Sequence, residues 1–98
     1  MSAYAVALVK VKNPEKMQEY QKIAGPTFGK FGGELAAKGK VTGLLAGQSD
    51  LNVVAVMKFP SLEKIDEWYG SEDYQAAVAV REEACDMTIL KLQEPPVA

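Results

Sequence analysis

Histidine is absent from these 98 residues, cysteine and tryptophan occur once each, and a single arginine stands among ten lysines. Each scarcity excludes chemistry. Without histidine there is no Ser-His-Asp triad, no Cys-His pair, no imidazole zinc ligand and no proximal histidine for haem. One cysteine, Cys85, forbids an internal disulfide, a zinc ribbon or a CxxC redox centre within one chain. It fits a reducing, cytoplasmic setting. No apolar run reaches the length of a membrane span. The opening MSAYAVALVKVKN lacks a basic stretch ahead of its apolar residues and alternates like a strand, unlike a secretory leader. Like charges never run beyond two, as in Glu72-Asp73 and Glu82-Glu83. The net charge is -2, from 11 basic and 13 acidic residues. That balance argues against nucleic acid and against an anionic membrane surface as partners.

What remains is 48% hydrophobic, enough for one core, and the length predicts a single domain over residues 1–98. Ala3 to Val11 reads as a strand. Tyr4, Val6 and Leu8 fall on one face and Ala5, Ala7, Val9 and Val11 on the other, so both faces are apolar and both call for cover. Asn13-Pro14 opens a helix, with asparagine as cap and proline in the first turn. The helix runs to about Ala24, with Met17, Tyr20 and Ile23/Ala24 on one stripe. Gly25-Pro26 breaks it. Thr27 to Phe31 forms one further turn, closed by Gly32-Gly33.

Glu34 to Lys38 and Val41 to Ala46 read as one interrupted strand or as two pieces joined at a bulge, with Gly39, Gly43 and Gly47 marking bulges and a strand end. Gly47 to Asp50 is a turn. Leu51 to Phe59 is the next strand, apolar on both faces. Ser61 caps a helix whose inner stripe is Leu62, Ile65, Trp68 and Tyr69. Gly70-Ser71 interrupts it. Ser71 caps a further helix carrying Tyr74, Ala77/Val78, Arg81 and Ala84/Cys85 on one face. Asp86 to Leu92 is the last strand, stopped by Glu94-Pro95-Pro96. The order β-α-β-β-α-β predicts an α+β, ferredoxin-like domain: a four-stranded antiparallel sheet with both helices on one face. The uncovered face then exposes an apolar patch too large for a monomer. A second copy, packed sheet against sheet about a two-fold axis, is expected to cover it.

Phe59 to Asp86 holds the densest aromatic cluster (Trp68, Tyr69, Tyr74) and Arg81. The helical neighbours of Arg81 at three and four residues are Ala77, Val78, Ala84 and Cys85, none of which can pair with a guanidinium. Arg81 therefore either clamps a small carboxylate or oxyanion in the cleft between helix and sheet, or makes a structural ion pair with Glu34, Glu19, Asp50 or a partner chain. The aromatics fill core volume or line a pocket. Cys85, one turn on, reads as a small buried hydrophobe rather than a reactive thiol. The acidic sets Glu63, Asp66, Glu67 and Glu82, Glu83, Asp86 alternate with apolar stripes and read as solvated helix faces, so no metal site is expected.

Gly32-Gly33, Phe59-Pro60-Ser61, Trp68-Tyr69-x-Ser71-x-x-Tyr74-Gln75 and Arg81, with Tyr20 and Pro26, resemble domain-of-unknown-function family 1330. The resemblance covers nearly the whole chain. It implies a dimeric α/β barrel of ferredoxin-like units, in a superfamily that includes small monooxygenases, isomerases and haem proteins. Two departures stand out. The basic residue common after the glycine pair is Glu34 here. The loop between the middle strands, where an aromatic and basic residues are usual, reads Gln48-Ser49-Asp50-Leu51-Asn52.

Three functions follow as expectations. The first is a binding protein for an anionic or aromatic small molecule, in a cleft lined by Tyr20, Trp68 and Tyr74, with Arg81 as the anion handle and Glu34 at the rim. No cofactor is expected. The second is a cofactor-free monooxygenase or isomerase, with Glu34 or a tyrosine as acid or base. The third is a structural or assembly domain without a pocket.

Overall fold

The computed structural model describes residues 2–95. Strand β1 (Ala3–Val11) is central, and the sheet order is β2-β3-β1-β4, with β2 spanning Glu34–Lys40, β3 Val53–Phe59 and β4 Cys85–Gln93. Every pairing is antiparallel: Val6 faces Val56 on one side and Leu90 on the other. Helices α1 (Pro14–Ala24), α2 (Leu62–Gly70), α3 (Glu72–Gln75) and α4 (Val78–Ala84), with a 3-10 segment at Gly25–Phe31, complete the chain. The architecture is the expected α+β, ferredoxin-like arrangement.

Alternation in β1 decides which face the helices take. Ala3, Ala5, Ala7 and Val9 are buried beneath them. Their small side chains leave room for large groups above the strand, and Ile65, Trp68 and Tyr74 from the helices fill that space with Phe59 of β3. Tyr4, Val6 and Leu8 point the other way and stay partly exposed, beside Val54 and Val56 of β3 and the exposed Leu90 and Leu92 of β4. The open face is apolar, as the strand pattern predicts.

The helix boundaries follow the capping residues. The Asn13 side chain accepts from the Lys16 backbone N–H at 3.1 Å, and Pro14 sits in the first turn. Met17, Tyr20 and Ala24 form the buried stripe of α1. The Ser61 hydroxyl accepts from the Lys64 N–H at 3.2 Å. Ser71 works at two ends: its hydroxyl donates to the Trp68 carbonyl at 2.7 Å, finishing α2, and accepts from the Tyr74 N–H at 3.2 Å, starting α3. Gly32 has φ 79°, and a Cβ there would meet Pro60 at 2.8 Å. Gly33 passes so close to the Phe59 ring that a Cβ would stand 2.8 Å from it. Both positions require glycine, one for its backbone angle and both for the close approach.

Two segments differ from the sequence reading. Val41 to Ala46 is not strand: β2 ends at Lys40, and its bulge lies between Leu35 and Ala37 rather than at a glycine. The cause is long-range. The returning chain is pulled toward β1, where Asn52 accepts from the Val11 N–H at 2.5 Å and donates its own N–H to the Val9 carbonyl at 2.8 Å. Lys10 pairs with Asp50 at 2.6 Å on the same side. Past the Val41 to Asn52 contact, residues 41–46 have no strand to pair with. The second difference is that the helix after Ser71 is two pieces, α3 and α4, with a turn at Ala76-Ala77, and Cys85 begins β4 rather than ending a helix. β4 stops before Glu94-Pro95, and Pro96 lies outside the described residues.

Candidate functional site

Arg81 sits on α4 under α2, with its side chain only 13% exposed. Its Nη1 donates to the Tyr69 hydroxyl at 3.2 Å and to the Tyr74 hydroxyl at 3.1 Å, and its Nη2 to Glu82 at 3.3 Å. The guanidinium carbon also lies 5.9 Å from the centre of the Tyr69 ring. Three of five guanidinium donors are thus used. The ion pair is a correction to the sequence reading. The carboxylate comes from the next residue on the same helix, not from Glu34, Glu19 or Asp50. Glu82 is 70% exposed, so this pair is solvent-screened and weak. Burial pulls the Arg81 pKa down and the hydrogen bonds to Tyr69 and Tyr74 push it up, with a net upward shift. The group stays charged.

Beyond Arg81 lies a cavity of about 420 Å³, bounded by α2, α4 and the helix-facing side of β4. Ile65, Trp68, Tyr69, Arg81, Met87 and Lys91 are among its walls, and Asp66 lies at its edge, bonded to Lys91 at 2.9 Å. Arg81 and Lys91 against Asp66 leave one net positive charge along the lining. The alternation of β4 puts Met87, Ile89 and Lys91 here, since they pair with Val9, Ala7 and Ala5 of the covered face. Neither Met87 nor Lys91 was singled out by sequence. The period-two pattern of β4 was the signal that could have found them.

A second cavity of about 290 Å³ lies between α1 and the sheet. Met17, Tyr20, Phe28, Val53 and Met57 line it, with Gln21 and Lys38 as polar residues. Trp68 and Met87 border both cavities and form the wall between them. The cleft expected from sequence is therefore two chambers.

The candidate residues divide accordingly. Arg81 and Trp68 belong to the first chamber, and Tyr20 and Trp68 to the second. Tyr74 is fully buried and lines neither. It stands behind Arg81, packed against Trp68 at a tilt of 52° with ring centres 4.7 Å apart, and its hydroxyl is 2.8 Å from that of Tyr20. Glu34 does not join them: it is exposed at the start of β2, opposite Lys58, and lines neither chamber. Pairing with Lys58 puts Glu34 on the open face, because Lys58 also faces Tyr4 across the sheet. Tyr69, read as inner stripe, is 37% exposed at the end of α2 and flanks Arg81.

Thr27 is a buried polar residue that sequence reasoning passed over. Its hydroxyl accepts from the Trp68 indole N–H at 2.9 Å and donates to the Ala24 carbonyl at 2.6 Å. A buried indole needs an acceptor, and the turn after Gly25-Pro26 was the place to seek it. The bond fixes the dividing wall. Cys85 is 3% exposed; burial pushes its thiol pKa up, and nearby Arg81 offsets this only in part. That is the environment of an inert buried thiol.

Fold and cavities together define a ferredoxin-like domain with chambers between its helices and its sheet. The chain belongs to the family described as domain of unknown function (DUF1330), whose sequence model matches residues 2–94. Among solved structures, a protein of unknown function from Rhodopseudomonas palustris is similar at 23% identity and TM-score 0.81, over 96% of this chain and 84% of that one. A dimeric ferredoxin-like protein of unknown function from Jannaschia is similar at 11% identity and TM-score 0.75, over 96% of this chain and 100% of the other. SnoaB from Streptomyces nogalater, described as a cofactor-independent oxygenase, is similar at 8% identity and TM-score 0.70, over 98% and 95% of the two chains. At these identities the likeness is one of fold. No curated protein matches the sequence. Among the described residues no helix is long and apolar enough to cross a membrane.

Proposed function

We propose that this protein binds a small organic anion, with the carboxylate or oxyanion held by Arg81 in the cavity beneath α2. One observation carries the reading: a nearly buried guanidinium borders a cavity of about 420 Å³ while, among the described residues, its only carboxylate partner is the exposed, neighbouring Glu82. A buried arginine kept for structure alone is expected to be fully paired by protein. Arg81 instead leans on two neutral hydroxyls and keeps donors in reserve. The net positive lining favours an anion, the apolar Ile65, Trp68 and Met87 favour an organic body on it, and the volume lies within the usual range of roughly 300–1,000 Å³ for ligand pockets.

A cofactor-free monooxygenase or isomerase on the same scaffold needs a general base. Glu34 lines neither chamber and faces the open side of the sheet, burial raises the Tyr20 pKa and keeps its hydroxyl protonated, and Asp66 is engaged by Lys91. Binding is therefore preferred over chemistry. Self-association belongs to the same proposal. A second copy covers the open face built on Val6, Leu8, Val56 and Leu90, in keeping with neighbours described as dimeric. Light scattering at low micromolar concentration is expected to give twice the chain mass; a monomer mass would sink that part.

Thermal-shift measurement against a panel of aliphatic and aromatic carboxylates tests the site. A ligand at a hundredfold excess over its Kd stabilises the native state by about 2.7 kcal/mol. At least one carboxylate is expected to raise the Tm of the wild type and to lose that effect in Arg81→Ala. No shift with any compound, or equal shifts in both proteins, counts against the reading.

A further inference from the structure

The second chamber is lined by one buried tyrosine, Tyr20, whose hydroxyl stands at the end of a hydrogen-bonded chain and has a sulfur as its last partner. Arg81 has only donors, so Tyr74 Oη must accept from it at 3.1 Å. Among the described residues, the only other polar atom bonded to the Tyr74 hydroxyl is Tyr20 Oη at 2.8 Å. Were Tyr20 the donor of that pair, the fully buried Tyr74 hydrogen would have no acceptor among the described residues, so the favoured direction runs from Tyr74 to Tyr20. Tyr20 Oη, now an acceptor, has to direct its own hydrogen elsewhere. What it meets is the thioether sulfur of Met87 at 3.9 Å, a weak acceptor at the limit of contact. A cation, two hydroxyls and a sulfur thus form one directed chain. It starts at the wall of the first chamber and ends at Tyr20 and Met87, both of which line the second.

We infer that the second chamber is a separate binding site for a neutral, apolar molecule bearing one acceptor oxygen, which takes the Tyr20 hydrogen in place of the Met87 sulfur. The walls supply the apolar preference: Met17, Phe28, Val53, Met57 and Trp68 line the chamber together with Tyr20. Met87 is unbranched and can withdraw from the hydroxyl without a backbone change. Arg81, reached through Tyr74, polarises the Tyr20 O–H and strengthens it as a donor in a low-dielectric setting. Burial keeps that hydroxyl neutral, since it raises the Tyr20 pKa above the ordinary tyrosine value. An anion is disfavoured at the Tyr20 hydroxyl, because desolvating a charge in that buried place is costly and the chamber's one lining cation, Lys38, is exposed on β2. The inference does not rest on anion binding at Arg81, and either can fail alone.

The test uses two probes of nearly equal shape, 2-acetylnaphthalene with a carbonyl oxygen and 2-ethylnaphthalene without one. Binding is read by quenching of Trp68, the only tryptophan, which borders the chamber. The ratio of ketone to hydrocarbon affinity is expected to fall about tenfold in Tyr20→Phe, the loss of one hydrogen bond in a buried site. In Met87→Leu the ratio is expected to rise, because the competing sulfur is gone. Sodium benzoate, a probe for the Arg81 cavity, is expected to leave the ketone in place. Absence of binding by both probes, a ratio unchanged in both variants, or displacement of the ketone by benzoate would each overturn the inference. If Tyr20→Phe does not fold, an unchanged ratio in Met87→Leu alone overturns it.

Discussion

The two chambers share a wall and differ in nearly everything else. The one beneath α2 has two cations, an acidic edge and a tyrosine at its mouth. The one beneath α1 has a single hydroxyl in an apolar lining, with Gln21 and Lys38 as its polar lining residues. Both rest on the same sheet face. The difference comes from what each helix brings. α1 lays down Met17, Tyr20 and Ala24, a plain amphipathic stripe. The second helical region is broken at Gly70-Ser71 and again at Ala76-Ala77, which turns Tyr69 outward and brings Arg81 in beneath it. Breaks, not regular helix, build the charged chamber.

The largest expected effect comes from removing the shared wall. Trp68→Ala deletes a side chain only 2% exposed, together with its bond to Thr27. It is expected to cost about 3–5 kcal/mol, read from the urea midpoint, and to join the two chambers, so that probes of one begin to compete with probes of the other. If the two sites remain independent in that variant, the wall is not where we place it.

Tyr74→Phe keeps the volume but cuts the chain between the chambers. It leaves the Arg81 and Tyr20 groups each short of a partner, and the expected loss is about 1–3 kcal/mol. Ligand affinity is expected to drop on both sides. A drop on one side only would mean that the two sites are not linked through Tyr74.

Ser71→Ala removes the hydroxyl that ends α2 and starts α3. A loss of about 1 kcal/mol is expected, with weaker carboxylate binding at Arg81 and unchanged binding beneath α1. Asp50→Asn lies on the loop that docks on β1 and is expected to touch neither chamber. Its hydrogen bond to Lys10 holds the Asp50 carboxyl below its ordinary pKa of 3.8, and Lys10 is raised in turn. The resulting stabilisation is fully present above pH 3.8 and is lost as the pH falls through the lowered value. Wild type and variant should therefore converge in acid and differ, slightly, above it. The effect is small because both groups are exposed.

The sequence showed β1, α1, the caps at Asn13, Ser61 and Ser71, and the order of elements, because local signals dictate them. It also drew attention to Arg81, since a lone arginine on an apolar stripe is conspicuous. It failed where distant contacts decide. Residues 41–46 read as strand until Asn52 and Asp50 bind β1 instead. Glu34 seemed near Arg81 until the edge strand set its register against Lys58 and turned it to the open face. The division of one cleft into two depends on Trp68 being fixed by Thr27, a pairing across 41 residues that no local pattern encodes.

Whether Arg81 serves a ligand or only the fold is tested most directly by isothermal titration with the carboxylate that most stabilises the wild type, repeated on Arg81→Lys. A bidentate guanidinium site is expected to lose at least tenfold in affinity while the variant keeps the wild-type Tm within a few degrees. Equal affinity in both proteins, or a variant that loses its fold while no carboxylate binds the wild type, would make Arg81 a structural residue and remove the site.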